Sequence, residues 1–137
     1  MTVTLRKAIR EQTNVLLAFA GPSGCGKTMS ALRVARGLAG PDGRIALLDT
    51  ESGRALHYAE RFDFDHGEMR APFAPEAYRD AIADVEEAGY RVIVVDSMSH
   101  EHEGEGGLQD IHDALHATMG GGENTNSNPR RTGPVTF

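Results

Sequence analysis

Gly21-Pro22-Ser23-Gly24-Cys25-Gly26-Lys27-Thr28 is the stretch whose reading decides the fold. Glycines at 21, 24 and 26 free the backbone of Cβ clashes, so successive N–H groups can curl around one anion. The closing Lys-Thr pair adds a cation and a hydroxyl, and the spacing G-x-x-x-x-G-K-[ST] is that of a phosphate cradle between a strand and a helix. On this reading the backbone of residues 21–28 wraps a nucleotide's phosphates. Lys27 reaches the β- and γ-phosphates, and the Thr28 hydroxyl ligates Mg²⁺. The alternative is a glycine-rich strand-to-helix turn with no ligand, and the flanking residues choose between them.

Upstream, Asn14–Ala20 is a nearly continuous apolar run, which predicts a strand buried on both faces. Downstream, Met29, Leu32, Ala35 and Leu38 fall at helical spacing, so the positive end of a helix starting near Lys27 points at the same anion. The motif therefore stands in the context it requires. Two further runs, Arg44–Asp49 and Arg91–Asp96, repeat the buried-strand pattern, each opening on Arg and closing on Asp. Between them Tyr78, Ile82 and Val85 mark a helix over 75–88, with Pro75 in its first turn and Gly89 as its stop. Asp65–Arg70 is a weaker strand candidate. Alternating strands and helices with buried strands predict an α/β domain with a parallel sheet between two helical layers.

A length of 137 residues allows one domain, and 39% hydrophobic content without tryptophan gives it an adequate core. The longest apolar run, Val15–Ala20, is six residues, far below the roughly 20 that span a bilayer, and no signal-peptide core is present. The lone Cys25 forms no internal disulfide, so a soluble, cytoplasmic protein with no membrane partner is expected. Net charge is -6, but residues 1–40 carry six Lys or Arg and one acid, while residues 41–137 carry eight and nineteen. An acidic whole argues against indiscriminate nucleic-acid binding, and a basic first third leaves room for one positive surface. After Asp96, Gly104–Gly107 reads as a flexible acidic break before a helix carrying Leu108, Ile111, Leu115 and Met119. Residues 1–119 make the phosphate-binding domain, and 120–137, rich in Gly and Asn, make a disordered or loosely attached tail.

In parallel sheets ligands sit outside the carboxyl ends of the strands. Asp96 is thereby placed to hold the magnesium, its alternative being a cap after the strand. Glu51, just past Asp49, is the preferred group to position and deprotonate a water, with Glu101 as competitor. Asp49 itself is assigned to strand-end or magnesium-shell hydrogen bonding. Arg54 is a phosphate contact, an arginine finger on a neighbouring subunit's nucleotide, or an ordinary surface arginine, and Cys25 is either a reactive thiol or a spacer. His112 and His116, at i and i+4 with His100 and His102 nearby, lack a second pair of Cys or His at structural-zinc spacing, so no zinc is expected. Arg6, Lys7 and Arg10 form a basic patch without interleaved aromatics, open equally to nucleic acid and to solvent.

The combination of GPSGCGKT with Leu47-Leu-Asp-Thr-Glu51 and Val92-Ile-Val-Val-Asp-Ser97 resembles the RecA-like branch of the P-loop ATPases. Asp49–Arg54 and Asp96–Gly104 further resemble the phage-encoded AAA/RecA-like nucleotide-binding proteins, some linked to single-strand annealing and recombination. The likeness covers about residues 12–116. It implies ATP as ligand and substrate, Mg²⁺ as cofactor, Lys27 and Thr28 at phosphate and metal, Glu51 as catalytic base and Asp96 as the Walker B acid. It also implies single-stranded DNA as a partner, a homo-oligomer with sites at subunit interfaces, and the bacterial host cytoplasm as location. Two departures stand out. His102 replaces a usual aromatic residue, and the family's further sensor-bearing strand, lying between the Walker A and Walker B strands, has no counterpart after Asp96. The chain is therefore expected to be C-terminally truncated, with an incomplete RecA-like sheet. Two other functions remain open: a nucleotide-binding module without hydrolysis, and a small-molecule kinase.

Overall fold

The computed structural model describes residues 14–119. Three parallel strands, β1 (Ile45–Asp49), β2 (Asp65–Glu68) and β3 (Val92–Asp96), form a sheet in the order β2-β1-β3. The helices are α1 (Lys27–Ala39), α2 (Pro75–Glu87), α3 (Ser99–Glu103) and α4 (Leu108–Met119), with a 3₁₀ helix over Arg54–Tyr58.

β1 is central because its sequence allows it: all five residues are buried, as a continuous apolar run ending in an acid requires. Its register with β3 is Ile45 to Val92 through Asp49 to Asp96, which brings the two strand-end acids level. The amide of Arg91 donates to the Arg44 carbonyl at 3.1 Å, so the arginines that open the two runs also lie abreast. Arg44 stacks its guanidinium 3.9 Å from the Tyr90 ring centroid and donates to the Ala88 carbonyl, closing the amino ends of the strands.

α1 presents Leu32, Ala35 and Ala39 to the core at helical spacing. Leu32 packs with Leu47 and Ala55, bordered by Tyr58, Phe62, Phe64 and Val94, and Ala35 and Ala39 pack with Ile45 and Val92. Because Leu32 and Leu47 are wholly buried, burial relative to the exposed chain contributes roughly 1.5–3 kcal/mol each. α2 begins at Pro75 and is followed by Gly89 at φ 83, as its signals predict, and buries Tyr78.

Two expectations need correction. Asn14–Ala20 is not a strand: it runs as irregular chain with Leu16 98% exposed. Its apolar pattern matches that of β1, but a buried parallel strand needs neighbours to pair with, and among the described residues no strand lies beside it. Gly104–Gly107 is not a loose break but a turn held by Gly104 N–H to His100 O, Gly107 N–H to Gly104 O, and Phe73 N–H to Glu105 O. α3, with the sequence Ser-His-Glu-His-Glu, carries no apolar period to announce it. The proposed tail over 120–137 and the basic patch at Arg6, Lys7 and Arg10 lie outside the described residues. No described helix is long and apolar enough to cross a membrane.

Candidate functional site

The loop over 21–28 leads directly into α1. Gly26 occupies the position before the helix at φ 88, and Gly24 lies at φ 78, left-handed conformations that a side chain would strain. No side chain caps α1 and its first turn holds no acid, so the positive end of the helix dipole is left for an outside anion. That end opens on a cavity of about 270 Å³ lined by Ser23, Gly24, Gly26, Lys27, Thr28, Glu51, Arg54, His57, Tyr58 and Asp96.

The sequence-predicted residues converge here. Thr28 Oγ1 donates to Asp96 Oδ2 at 2.6 Å, joining the helix start to the end of β3 across 68 residues of sequence. Lys27 Nζ donates to the carbonyls of Gly21 at 2.8 Å and Pro22 at 3.0 Å, so its ammonium lies folded on the loop it belongs to. Glu51 lines the cavity, and its carboxylate pairs with the Arg54 guanidinium. Gly21, Pro22 and Cys25 are not among the lining residues. Gly21 and Pro22 contribute through the Lys27 contact, and Cys25 is exposed with its Sγ 2.8 Å from where a Cβ on Gly21 would lie.

Glu101 also lies outside the lining. Its charge is felt instead at Tyr78, where burial first, with Glu101 assisting and the Thr50 hydroxyl opposing, pushes the phenol up. The Tyr78 phenol donates to the Ser97 carbonyl at 3.2 Å. The protein thus separates the two candidate bases, Glu51 on the cavity wall and Glu101 on α3 outside the lining.

Asp49 does the strand-end work expected of it. At 1% exposure it accepts from the amide of Glu51 at 2.6 Å, the Ala55 amide at 3.2 Å and His66 Nε2 at 3.0 Å. Burial pushes this carboxyl up, but the His66 bond, the two amide bonds and the His66 charge outweigh it and hold the group below the ordinary carboxylate value. The carboxylate therefore stays ionised and folds the 50–55 loop back over the end of β1, which sets Glu51 and Arg54 on the cavity wall. Thr50, also buried, donates its amide to the Asp96 carbonyl at 2.9 Å, while its hydroxyl accepts from the Ser97 amide and lies 2.7 Å from His100 Nδ1. Phe73 stacks on His100.

Sequence reasoning missed His57, Tyr58 and His66, and considered His100 only as a neighbour of the His112–His116 pair. For His57 a signal existed: it stands three residues after Arg54, and i and i+3 eclipse on a 3₁₀ helix. His66 enters only through the pairing of β2 with β1, which no local pattern encodes. His112 and His116 lie with ring centroids 4.4 Å apart on α4.

Thr28 and Asp96 offer hard oxygen donors that suit Mg²⁺, an ion that commonly keeps several waters and takes one or two protein groups beside substrate phosphates. Among the described residues no group of three or more His, Cys, Asp or Glu side chains could hold a metal ion.

No curated protein and no solved structure matches the chain. A protein-family model described as an AAA domain matches residues 13–117, which take in the loop, all three strands and the whole cavity lining, and the chain accordingly belongs to the AAA domain family of P-loop ATPase-like proteins.

Proposed function

We propose that the protein binds ATP with Mg²⁺ in the cavity at the start of α1 and hydrolyses the β–γ bond, as a RecA-like member of its family. The observation that carries this reading is the convergence on one cavity of Lys27, the Thr28–Asp96 pair and Glu51, drawn from three separate segments. The amides of the 21–28 loop and the amino end of α1 bind the phosphates, and Lys27 transfers from the Gly21 and Pro22 carbonyls to phosphate oxygens. Thr28 and Asp96 would hold Mg²⁺, which when bound supplies charge neutralisation at the β- and γ-oxygens. A water oxygen attacks the γ-phosphorus, the bond to the bridging oxygen breaks with its electron pair leaving on ADP, and the water proton passes to Glu51. Phage origin, coupling to single-stranded DNA in recombination, and assembly into a homo-oligomer are supported by the family resemblance alone.

Lys27→Ala is expected to abolish nucleotide binding. Glu51→Gln is expected to keep binding and lose turnover by about 10²-fold or more. Phosphate release with MgATP, with and without single-stranded DNA, beside a binding isotherm, tests both arms. Undiminished turnover in Glu51→Gln removes Glu51 as base, and release indifferent to DNA removes the DNA coupling. A second reading, a binding module without turnover, is favoured by the engagement of Glu51 with Arg54, and it predicts binding with no phosphate release.

A further inference from the structure

Each charged side chain that lines the cavity already has a hydrogen-bond partner within the protein. Lys27 is spent on two loop carbonyls, Asp96 accepts from Thr28, and Glu51 Oε2 accepts from Arg54. Of these, the Glu51–Arg54 pair is the one a ligand most readily displaces. It joins residues three apart, with the Arg54 side chain 66% and the Glu51 side chain 31% exposed, and such pairs hold weakly against solvent. A polyphosphate offers the guanidinium several oxygens and a fork-shaped contact, against one carboxylate oxygen at present.

The backbone around Arg54 is pinned on both sides. Gly53 sits in a left-handed turn at φ 85, while Ala55 is buried in the core with its amide on Asp49. Movement at Arg54 is therefore movement of its side chain, a rotamer change on a long stem, with the loop itself staying in place. Arg54 lines the same cavity as Lys27 and Thr28, so a phosphate chain bound at the α1 terminus would share that cavity with its guanidinium.

We infer that Arg54 exchanges partners when nucleotide binds, leaving the Glu51 carboxylate for phosphate oxygens, and that this exchange uncovers Glu51 to take a proton from water. The inference rests on the reading of Glu51 as base and of this cavity as the triphosphate site. It makes Arg54 a latch. Without nucleotide the lone pairs of Glu51 Oε2 are turned to the guanidinium, and the polyphosphate opens the latch while gaining a cation. The Glu51–Arg54 pair that argues against turnover in the free protein is then the state from which binding starts.

A double-mutant cycle on the full chain tests this by affinity, using the non-hydrolysable β,γ-imido analogue of ATP with Mg²⁺ and isothermal titration calorimetry. Glu51→Gln no longer competes for Arg54, so it binds the analogue tighter than the wild type by about two- to fivefold, the range of an exposed ion pair. Arg54→Ala binds more weakly than the wild type. The double variant binds as Arg54→Ala does, because the gain from Glu51→Gln passes through the guanidinium. A gain of the same size in the Arg54→Ala background assigns it to simple repulsion between Glu51 and phosphate and overturns the exchange, as does a Glu51→Gln protein no tighter than wild type. Wild-type binding with an additive cycle leaves the nucleotide reading standing and removes only the latch. A wild type that binds no analogue removes both.

Discussion

At Asp49 one ionised side chain holds three donors, and the consequence is testable through acid. The carboxyl's pKa in the folded protein lies below its unfolded value of about 3.9, since the bonds from His66 and the amides of Glu51 and Ala55 outweigh the effect of burial. A group depressed in this way contributes stability that is complete above the unfolded value and is lost as pH falls through the folded one. Unfolding free energy of the wild type should therefore drop progressively as pH falls below about 3.9. Asn at this position presents one acceptor and an NH₂ group where the carboxylate has two acceptors. Asp49→Asn should cost about 1–3 kcal/mol at neutral pH by leaving a buried donor unmet, and it should flatten the acid slope. Urea unfolding of both proteins from pH 7 to pH 3 makes the comparison. Parallel acid profiles would show that Asp49 carries none of the proton linkage.

At the scale of elements, the far end of α1 is as constrained as its start. The Arg36 guanidinium donates to the carbonyls of Gly40 at 3.1 Å and Gly43 at 2.9 Å and to that of Asp63, tying the end of the helix to the turn before β1. The turn is so tight that a Cβ on Gly43 would lie 2.1 Å from the Ala39 carbonyl oxygen, a backbone atom with little room to give. Gly43→Ala should therefore lower stability by about 1–3 kcal/mol, as overpacking does, measured as a fall in melting temperature, with analogue affinity of the folded protein retained. An unchanged melting temperature would mean that the turn relaxes freely. The elements themselves were unequally legible. β1 and β3 were readable because an apolar run ending in an acid has few other solutions, and α1 and α2 because both periodicity and boundary signals agree. Asn14–Ala20 carries the same run as β1, yet composition cannot state whether a neighbouring strand is present to accept it. In the site, Lys27, Thr28, Glu51 and Asp96 were legible from spacing and strand ends. His66 and His100 were not, because each meets its partner only after the sheet and its crossovers have formed.

For the molecule as a whole, the strand count sets the surface. β3 pairs with β1 on one side and, among the described residues, with nothing on the other, and all five of its residues are only half-buried. Near the chain start Val15, Leu16, Leu17 and Phe19 are exposed, and α4 carries Leu108, Ile111, Leu115 and Met119 outward at i, i+3, i+7 and i+11. An open strand edge and clustered exposed apolar side chains both favour association, and a lysine on such a surface opposes it. Leu16 is the sharpest probe, since its side chain is almost fully exposed and packs against little. Leu16→Lys should leave the unfolding free energy within about 0.5 kcal/mol of wild type and should reduce concentration-dependent association in sedimentation velocity. A loss of stability in this variant would mean that Leu16 is packed in solution, and so that the 14–20 run does find a neighbour there. Unchanged association with unchanged stability would move the adhesive surface to the α4 stripe, where Leu115→Lys should then produce the fall that Leu16→Lys did not.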